Sequence, residues 1–270
     1  MDVAVVITFY RDDAFFPEAL ASVLAQTRVP DEIIVVDDAS PEGDAQTLRG
    51  LDPRVRVIRH KTNTGPAIAR QTGTDACSAS LIAYLDSDDI WLPEKIERQL
   101  AFLEAHQDLA ASHTGLVTFR DDGFERVFSD KPRELRLAEV LHVCHVLPSA
   151  LMIRRAALDA VGGWTRDRRI TEDWELTIRL VAAGRRIGFL AEPLVRLRRA
   201  DHGNLSSQAR RLMRGNLAML NRHRSLYLRT LGVRGTITAC GEIIAGGGRR
   251  GGVDGRVLRT LGWLLGHREG

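Results

Sequence analysis

The sequence predicts an α/β protein built on a doubly wound sheet, with a mixed second half and a helical C-terminal extension. Three observations predict it. Short β-branched runs alternate with helical segments up to residue 86, which is the rhythm of a parallel sheet. Two of those runs end in acidic clusters, at the edge where open α/β sheets bind ligands. From Asn204 onward the pattern is helical and rich in arginine.

"VAVVITF" (3 to 9) and "EIIVVDD" (32 to 38) lack clean alternation and read as strands covered on both faces. Between them Phe16, Leu20, Val23 and Leu24 recur at helical spacing. "VRVIRH" (55 to 60) and "SLIAYLD" (80 to 86) supply third and fourth strands, separated by a helix through Ala67, Ile68 and Ala69. In the second half, residues 111 to 130 read as a strand, a turn at Asp121 to Gly123 and a return strand. A strand through Met152 leads into a short helix stopped by Gly162 and Gly163. "TEDWELTIRLVAAG" (171 to 184) is a helix with Thr171 as N-cap and Gly184 as stop. The domain boundary falls near residue 204, and no long-period repeat is present.

With 270 residues and 44% hydrophobic content, the chain suffices for one large domain or a domain with an appendage. The net charge is +3, carried mainly by arginine, which suits a phosphate-bearing ligand, an anionic membrane surface or a solvated face. Nucleic acid is not among the expected partners. Cys77, Cys144 and Cys240 are far apart and odd in number, so a reducing, cytoplasmic setting is expected. No apolar run approaches the roughly 20 residues of a membrane span, and the N-terminus lacks the flank of a signal peptide. Soluble substrates, or work from the inner membrane surface, are therefore expected.

The acidic cluster Asp86, Asp88 and Asp89 stands hard against Leu81, Ile82, Tyr84 and Leu85. Packed carboxylates repel, so such a cluster holds a cation or works as acid and base. The alternative is an Asp-rich turn capping a helix begun by Pro93 and Glu94. "HVCHVLP" (142 to 148) crowds three candidate ligands into four positions, a poor zinc site, and core packing is the better reading.

"VVITFYRD", "ALASVLAQT", "EIIVVDDAS", "NTGPAIARQ", "YLDSDD", "VGGW", "TEDWELTIRL" and "RADHGNLS" occur in one order and spacing. Together they resemble family 2 glycosyltransferases with the GT-A fold, over about residues 1 to 207. The resemblance implies a glycosyltransferase domain over 1–204 (nucleotide half 1–108, acceptor half 109–204) and an extension over 205–270. It implies that Asp86-Ser87-Asp88 is the metal and nucleotide motif, with Asp88 the direct ligand of manganese or magnesium. Asp86 would face the ribose or a metal-bound water, and Asp89 would support the turn or cap the helix. Asp38 would read the base opposite Thr8, with Tyr10 and Arg11 beside it, while Asp37 starts an Asx turn. Arg70 either meets the diphosphate or is an exposed helix arginine paired with Asp75. By the same resemblance Asp173 is the general base, Glu172 supports it, Gly163 and Trp164 lie on the acceptor side, and His202 completes the metal site.

The implied reaction is transfer of one sugar, with inversion, from a nucleotide-diphosphate sugar, UDP favoured. The acceptor would be a lipid-linked glycan, a saccharide or a small molecule. Thr8, Arg11 and Gln71 depart from common family residues and bear on the choice of nucleotide, and no Q-x-x-R-W motif supports a processive synthase. A sugar-nucleotide-forming nucleotidyltransferase is the alternative enzyme, against which "TFYRDDAFF" offers no glycine loop. A non-catalytic nucleotide or glycan binder is a further alternative. In the tail, Arg210, Arg211, Arg214, Arg222, Arg224 and Arg229 accompany Leu212, Leu217, Leu220, Leu226 and Leu228. That pattern, with "VLRTLGWLL" (257 to 265), suits either peripheral membrane contact or packing on the domain or on a second copy in a homodimer.

Overall fold

In the computed structural model, which describes residues 1–11, 14–41, 48, 51–199 and 209–248, a single mixed sheet organises the chain. Its parallel part has the order β3 (Val55–Arg59), β2 (Glu32–Asp37), β1 (Val3–Phe9), β4 (Leu81–Asp86). The sheet continues from β4 through β8 (Leu151–Arg154), β6 (Leu109–Phe119), β9 (Arg186–Arg198) and β5 (Ile90–Trp91), while β7 (Glu125–Phe128) pairs with β6. β8 runs antiparallel to β4 and β6, and β6 and β9 are parallel. The expected α/β sheet of mixed direction is therefore present.

The absence of polar alternation in β1 has a direct cause. Val3, Val5, Ile7 and Phe9 enter one core, and Ala4 and Val6 enter the other. Ile33 and Val35 oppose Ile34 and Val36 in the same way on β2. One face is covered by α1 (Phe16–Leu24), through Phe16, Leu20 and Val23, and by α3 (Lys95–Ala105), through Ile96 and Leu103. The other is covered by α2 (Pro66–Ala76), α5 (Arg155–Ala160) and α6 (Glu172–Ala182), with the short α4 (Leu137–Val140) beside them. Burying each such Val, Ile, Leu or Phe contributes about 1.5–3 kcal/mol.

α2 lies so close to the sheet that a Cβ on Gly73 would fall 2.3 Å from Val6 Cγ1 and 3.2 Å from Val36 Cγ2. Gly73→Ala is expected to destabilise the protein by about 1–3 kcal/mol through overpacking. Urea unfolding measures it, and an unchanged midpoint would show that helix and sheet can separate at no cost.

Two local expectations change. The helix expected at Pro93 and Glu94 has Glu94 as its N-cap and Lys95 as its first residue, and β5 stands before it with Trp91 buried and its indole N–H donating to the Ser149 carbonyl at 2.8 Å. Thr171 does occupy the N-cap of α6, but its hydroxyl donates to Asn216 Oδ1 instead of capping the helix. By contrast Gly162 and Gly163 end α5 at φ +84° and +72°, as their positions suggested.

The helices α7 (Ala209–Arg222) and α8 (Arg224–Gly248, kinked at Gly232) pack on this body. Met219, Tyr227, Ala239 and Ile243 join the core beneath α6, and Leu217, Leu220 and Leu226 lie against it. Leu228 departs from the expected stripe and is 46% exposed, while Arg211, Arg214, Arg224 and Arg229 stay on the surface. Polar ties reinforce the seat, including His142 Nδ1 to Glu242 Oε2 at 2.5 Å and His223 Nε2 to Glu175 Oε1 at 3.2 Å. Packing on the domain is thus the fate of this part of the tail. Residues 257 to 265 and the Arg210 side chain lie outside the described residues. Among those residues, no helix is long and apolar enough to cross a membrane.

Candidate active site

A cavity of about 1370 Å³ opens where the carboxyl ends of β1, β2 and β4 meet the starts of α2 and α6. Its far wall is made by residues 142–149 and by α7 and α8. That volume exceeds the usual single-ligand pocket, leaving room for two reactants.

At the sheet end, Thr8, Tyr10 and Arg11 line the cavity. Arg11 has φ +61°, uncommon for a residue with a side chain, and its guanidinium lies 5.1 Å from the Tyr10 ring centre. Asp38 also lines the wall, with its carboxylate engaged by the following loop. Oδ1 accepts from the Thr64 N–H at 2.8 Å and hydroxyl at 2.7 Å and lies 2.7 Å from His60 Nδ1. Oδ2 accepts from the Gly65 N–H at 2.7 Å. The same side chain therefore faces the cavity and orders the loop carrying Asn63 and Gly65. Asp37 accepts from the Ser40 N–H at 2.8 Å, the Asx turn expected of it.

The D-x-D turn closes β4. Asp86 pairs in register with Thr8, whose hydroxyl donates to Asp86 Oδ1 at 3.4 Å. Ser149 pins the turn: its hydroxyl accepts from the Asp86 N–H at 3.1 Å and donates to Asp89 Oδ2 at 2.6 Å. Arg198 adds its own N–H to Asp89 Oδ1 at 3.1 Å and its Nε to the Asp88 carbonyl at 3.3 Å. Burial, then the charges of Asp88 and Asp86, pushes the Asp89 carboxyl well above the usual range. Asp89 thus caps no helix; it is the buried anchor that fixes its neighbours. Ser87 and Asp88 lie on the cavity wall.

Asp86 and Asp88 offer hard carboxylate oxygens on one wall, a donor set that fits magnesium or manganese completed by phosphate oxygens and water. Among the described residues no group of three metal-ligating side chains occurs. His202, the third ligand expected from sequence, lies outside the described residues.

Arg70 is buried, not exposed, and does not pair with Asp75. Its Nη2 donates to Asp86 Oδ1 at 2.6 Å and its Nη1 to Glu172 Oε1 at 3.0 Å, so one guanidinium bridges the D-x-D turn and α6. Burial works against its charge, yet the Asp86 and Glu172 carboxylates outweigh it and raise its pKa. Its guanidinium carbon lies 5.0 Å from the Trp164 ring centre. Asp75 pairs instead with Gln71, whose Oε1 accepts the Trp164 N–H at 2.7 Å. Gln71 therefore serves the Gly163–Trp164 turn and not the nucleotide end of the site, correcting the expectation from sequence. Gly163 and Trp164 stand behind Arg70, with Trp164 buried edge-on against Tyr84. Neither is among the described residues that line the cavity.

Glu172 and Asp173 form the first turn of α6. Asp173 Oδ1 accepts the Trp174 N–H at 2.8 Å, and Oδ2 lies 3.7 Å from Cys144 Sγ. Burial, then the Glu172 charge, pushes the Asp173 carboxyl up to about 7, against the Trp174 N–H and Arg70. A carboxylate so poised takes a proton efficiently near neutral pH. The "HVCHVLP" segment joins the core as its sequence suggested, through buried Val146 with Cys144 packed against the same cluster, but it also forms cavity wall. His142, Cys144 and His145 line the cavity there, and Glu242 of α8, which lines it too, holds His142. Ser149, Arg198 and Lys131 carry no motif, and sequence reasoning missed all three; Cys144 was weighed only as a zinc ligand.

The model of a family described as Glycosyl transferase family 2 matches residues 4–162. The amylovoran biosynthesis glycosyltransferase AmsE of Erwinia amylovora is 27% identical over 192 residues, 67% of this chain and 69% of that protein. WfaP of Escherichia coli, named a UDP-Glc:alpha-D-GlcNAc-diphosphoundecaprenol beta-1,3-glucosyltransferase, is 27% identical over 183 residues, 67% of this chain and 71% of its own. Among solved structures, Staphylococcus aureus TarS 1-349 in complex with UDP-GlcNAc superposes with a TM-score of 0.66 at 18% identity, covering 98% of this chain and 89% of that one. That likeness establishes the fold.

Proposed function

Because the chain belongs to glycosyl transferase family 2, we propose that it transfers one sugar, with inversion, from a UDP-sugar to a hydroxyl of its acceptor. One observation carries this reading: a single cavity has Asp86-Ser87-Asp88 on one wall and Asp173, pushed up to about 7, on another. Arg70 spans the two. The UDP preference draws on the UDP-GlcNAc-bound relative and on WfaP, named for UDP-Glc. A nucleotidyltransferase has no need of a base at the acceptor end.

Thr8, Tyr10 and Arg11 bound the nucleotide end, with Asp38 holding the loop across from them. When bound, a divalent cation held by Asp88 and Asp86 would offset the diphosphate charge that grows as the sugar leaves. At the other end Asp173 receives the acceptor proton as the acceptor oxygen attacks the anomeric carbon. The new bond forms opposite the breaking one, so a single displacement inverts the configuration. Glu172, held by Arg70, orients the first turn of α6.

A thermal-shift comparison of UDP, GDP, CDP and dTDP, each with and without manganese, tests the donor. UDP with manganese is expected to stabilise most, and a larger shift with GDP or dTDP would overturn that choice. Asp88→Ala is expected to remove the manganese-dependent part of the shift and leave the protein folded. Retention of wild-type manganese dependence would exclude Asp88 as the anchor.

A further inference from the structure

The acceptor end of the cavity carries a cation that the proposed chemistry does not use. Lys131 follows β7 and lines the wall. Its Nζ donates to the His145 carbonyl at 2.7 Å and lies 5.9 Å from the Phe189 ring centre. An ammonium has three protons, and that carbonyl takes one. Among the described residues no carboxylate lies within ion-pair distance of Lys131. Glu242, the acid on this wall, is held by His142. Burial lowers the pKa of Lys131, so its charge is kept at some cost. Cys144 links it to the chemistry, since the thiol lies 3.7 Å from Asp173 Oδ2 and also feels the Lys131 charge. Arg211 of α7 lines the same cavity without a carboxylate partner among the described residues.

We propose that Lys131 is an anion-binding subsite for the acceptor, seating a phosphate group borne by the acceptor next to the hydroxyl that Asp173 deprotonates. This rests on the glycosyltransferase reading. A neutral acceptor would leave an underused ammonium in the cavity that holds the base, whereas a phosphate supplies both its missing charge and its missing acceptors. Lysine serves here as a point charge, seated on the His145 carbonyl one residue along the chain from Cys144, the residue that meets Asp173. A phosphate of this kind belongs either to a lipid carrier or to a soluble phosphorylated saccharide.

The test uses the full chain saturated with UDP and manganese, so that phosphate probes cannot occupy the donor end. Binding of octyl glucosyl diphosphate, glucose 1-phosphate and the neutral octyl glucoside is measured by titration calorimetry. At least one phosphorylated probe is expected to bind about tenfold or more tighter than octyl glucoside, a margin of about 1.4 kcal/mol. Lys131→Gln is expected to erase that margin, Lys131→Arg to keep it, and both to leave the Kd for UDP unchanged. A tighter octyl diphosphate points to a lipid carrier, and a tighter glucose 1-phosphate to a soluble acceptor. Equal binding of octyl glucoside overturns the proposal. So does a margin that survives in Lys131→Gln, or a loss of UDP affinity in that variant, which would place Lys131 at the donor. Failure of the wild type to bind UDP would instead overturn the donor reading on which the subsite rests.

Discussion

Asp173→Asn is expected to cut transfer by about a hundred- to ten-thousandfold while the Kd for UDP stays near wild type. Asparagine keeps the shape and can still accept the Trp174 N–H, but it cannot take a proton. The Asp86 and Asp88 carboxylates, proposed to serve the donor, are untouched. The same variant has a stability signature. The folded-state pKa of Asp173 is raised above its ordinary value, to about 7. Its contribution is therefore fully present below about pH 4 and is lost as pH rises through 7, because ionising it in the buried site is disfavoured. Removing that carboxylate is expected to raise the Tm at pH 8 by several degrees and to change little at pH 4. Transfer persisting above about a tenth of wild type would sink the base assignment.

Arg70→Met carries the largest expected loss of stability. The side chain is buried and holds Asp86 and Glu172 through two charge-assisted bonds. Removing one partner of such a group leaves uncompensated charge, at a cost of about 3–5 kcal/mol. Asp86 and Glu172 keep 33% and 23% of their side-chain surface, so the lower end of that range is expected. UDP affinity should fall as well, since Asp86 loses its support. Arg70→Lys should recover only part, because one ammonium cannot reproduce the two-pronged fork. Urea unfolding measures both variants, and a change under about 1 kcal/mol for Arg70→Met would mean that water already satisfies the two carboxylates.

Much of the fold was legible because strand and helix periods are local. β1 and β4 lie where β-branched and aliphatic runs placed them, and α6 begins after Thr171. The acidic clusters were visible for the same reason, each ending an apolar run at one edge of the sheet. What was not legible depends on contacts between distant residues. Ser149 fixes the Asp86–Asp89 turn from 63 residues away, and the Arg198 N–H does so from 109. Sequence spacing says nothing of such partners. Arg70 and Gln71 are adjacent on α2 yet face opposite tasks, one bridging two carboxylates and the other holding the Trp164 turn. A helical pattern gives a face but not the charge it meets there. The 142–148 segment reads as core from its apolar residues, and Val146 does join the core, but its spacing gave no sign that His142, Cys144 and His145 line the cavity.

The most direct test of the account is the pH dependence of kcat/KM for UDP release from a UDP-sugar, with manganese and acceptor present. Asp173 must be ionised to act, so the wild-type value is expected to fall as pH drops through about 7 and to level off above it. Asp173→Asn should be low and flat across the same range. A wild-type profile without an inflection between pH 6 and 8, or an inflection that persists in Asp173→Asn, would contradict the assignment of Asp173 as the base.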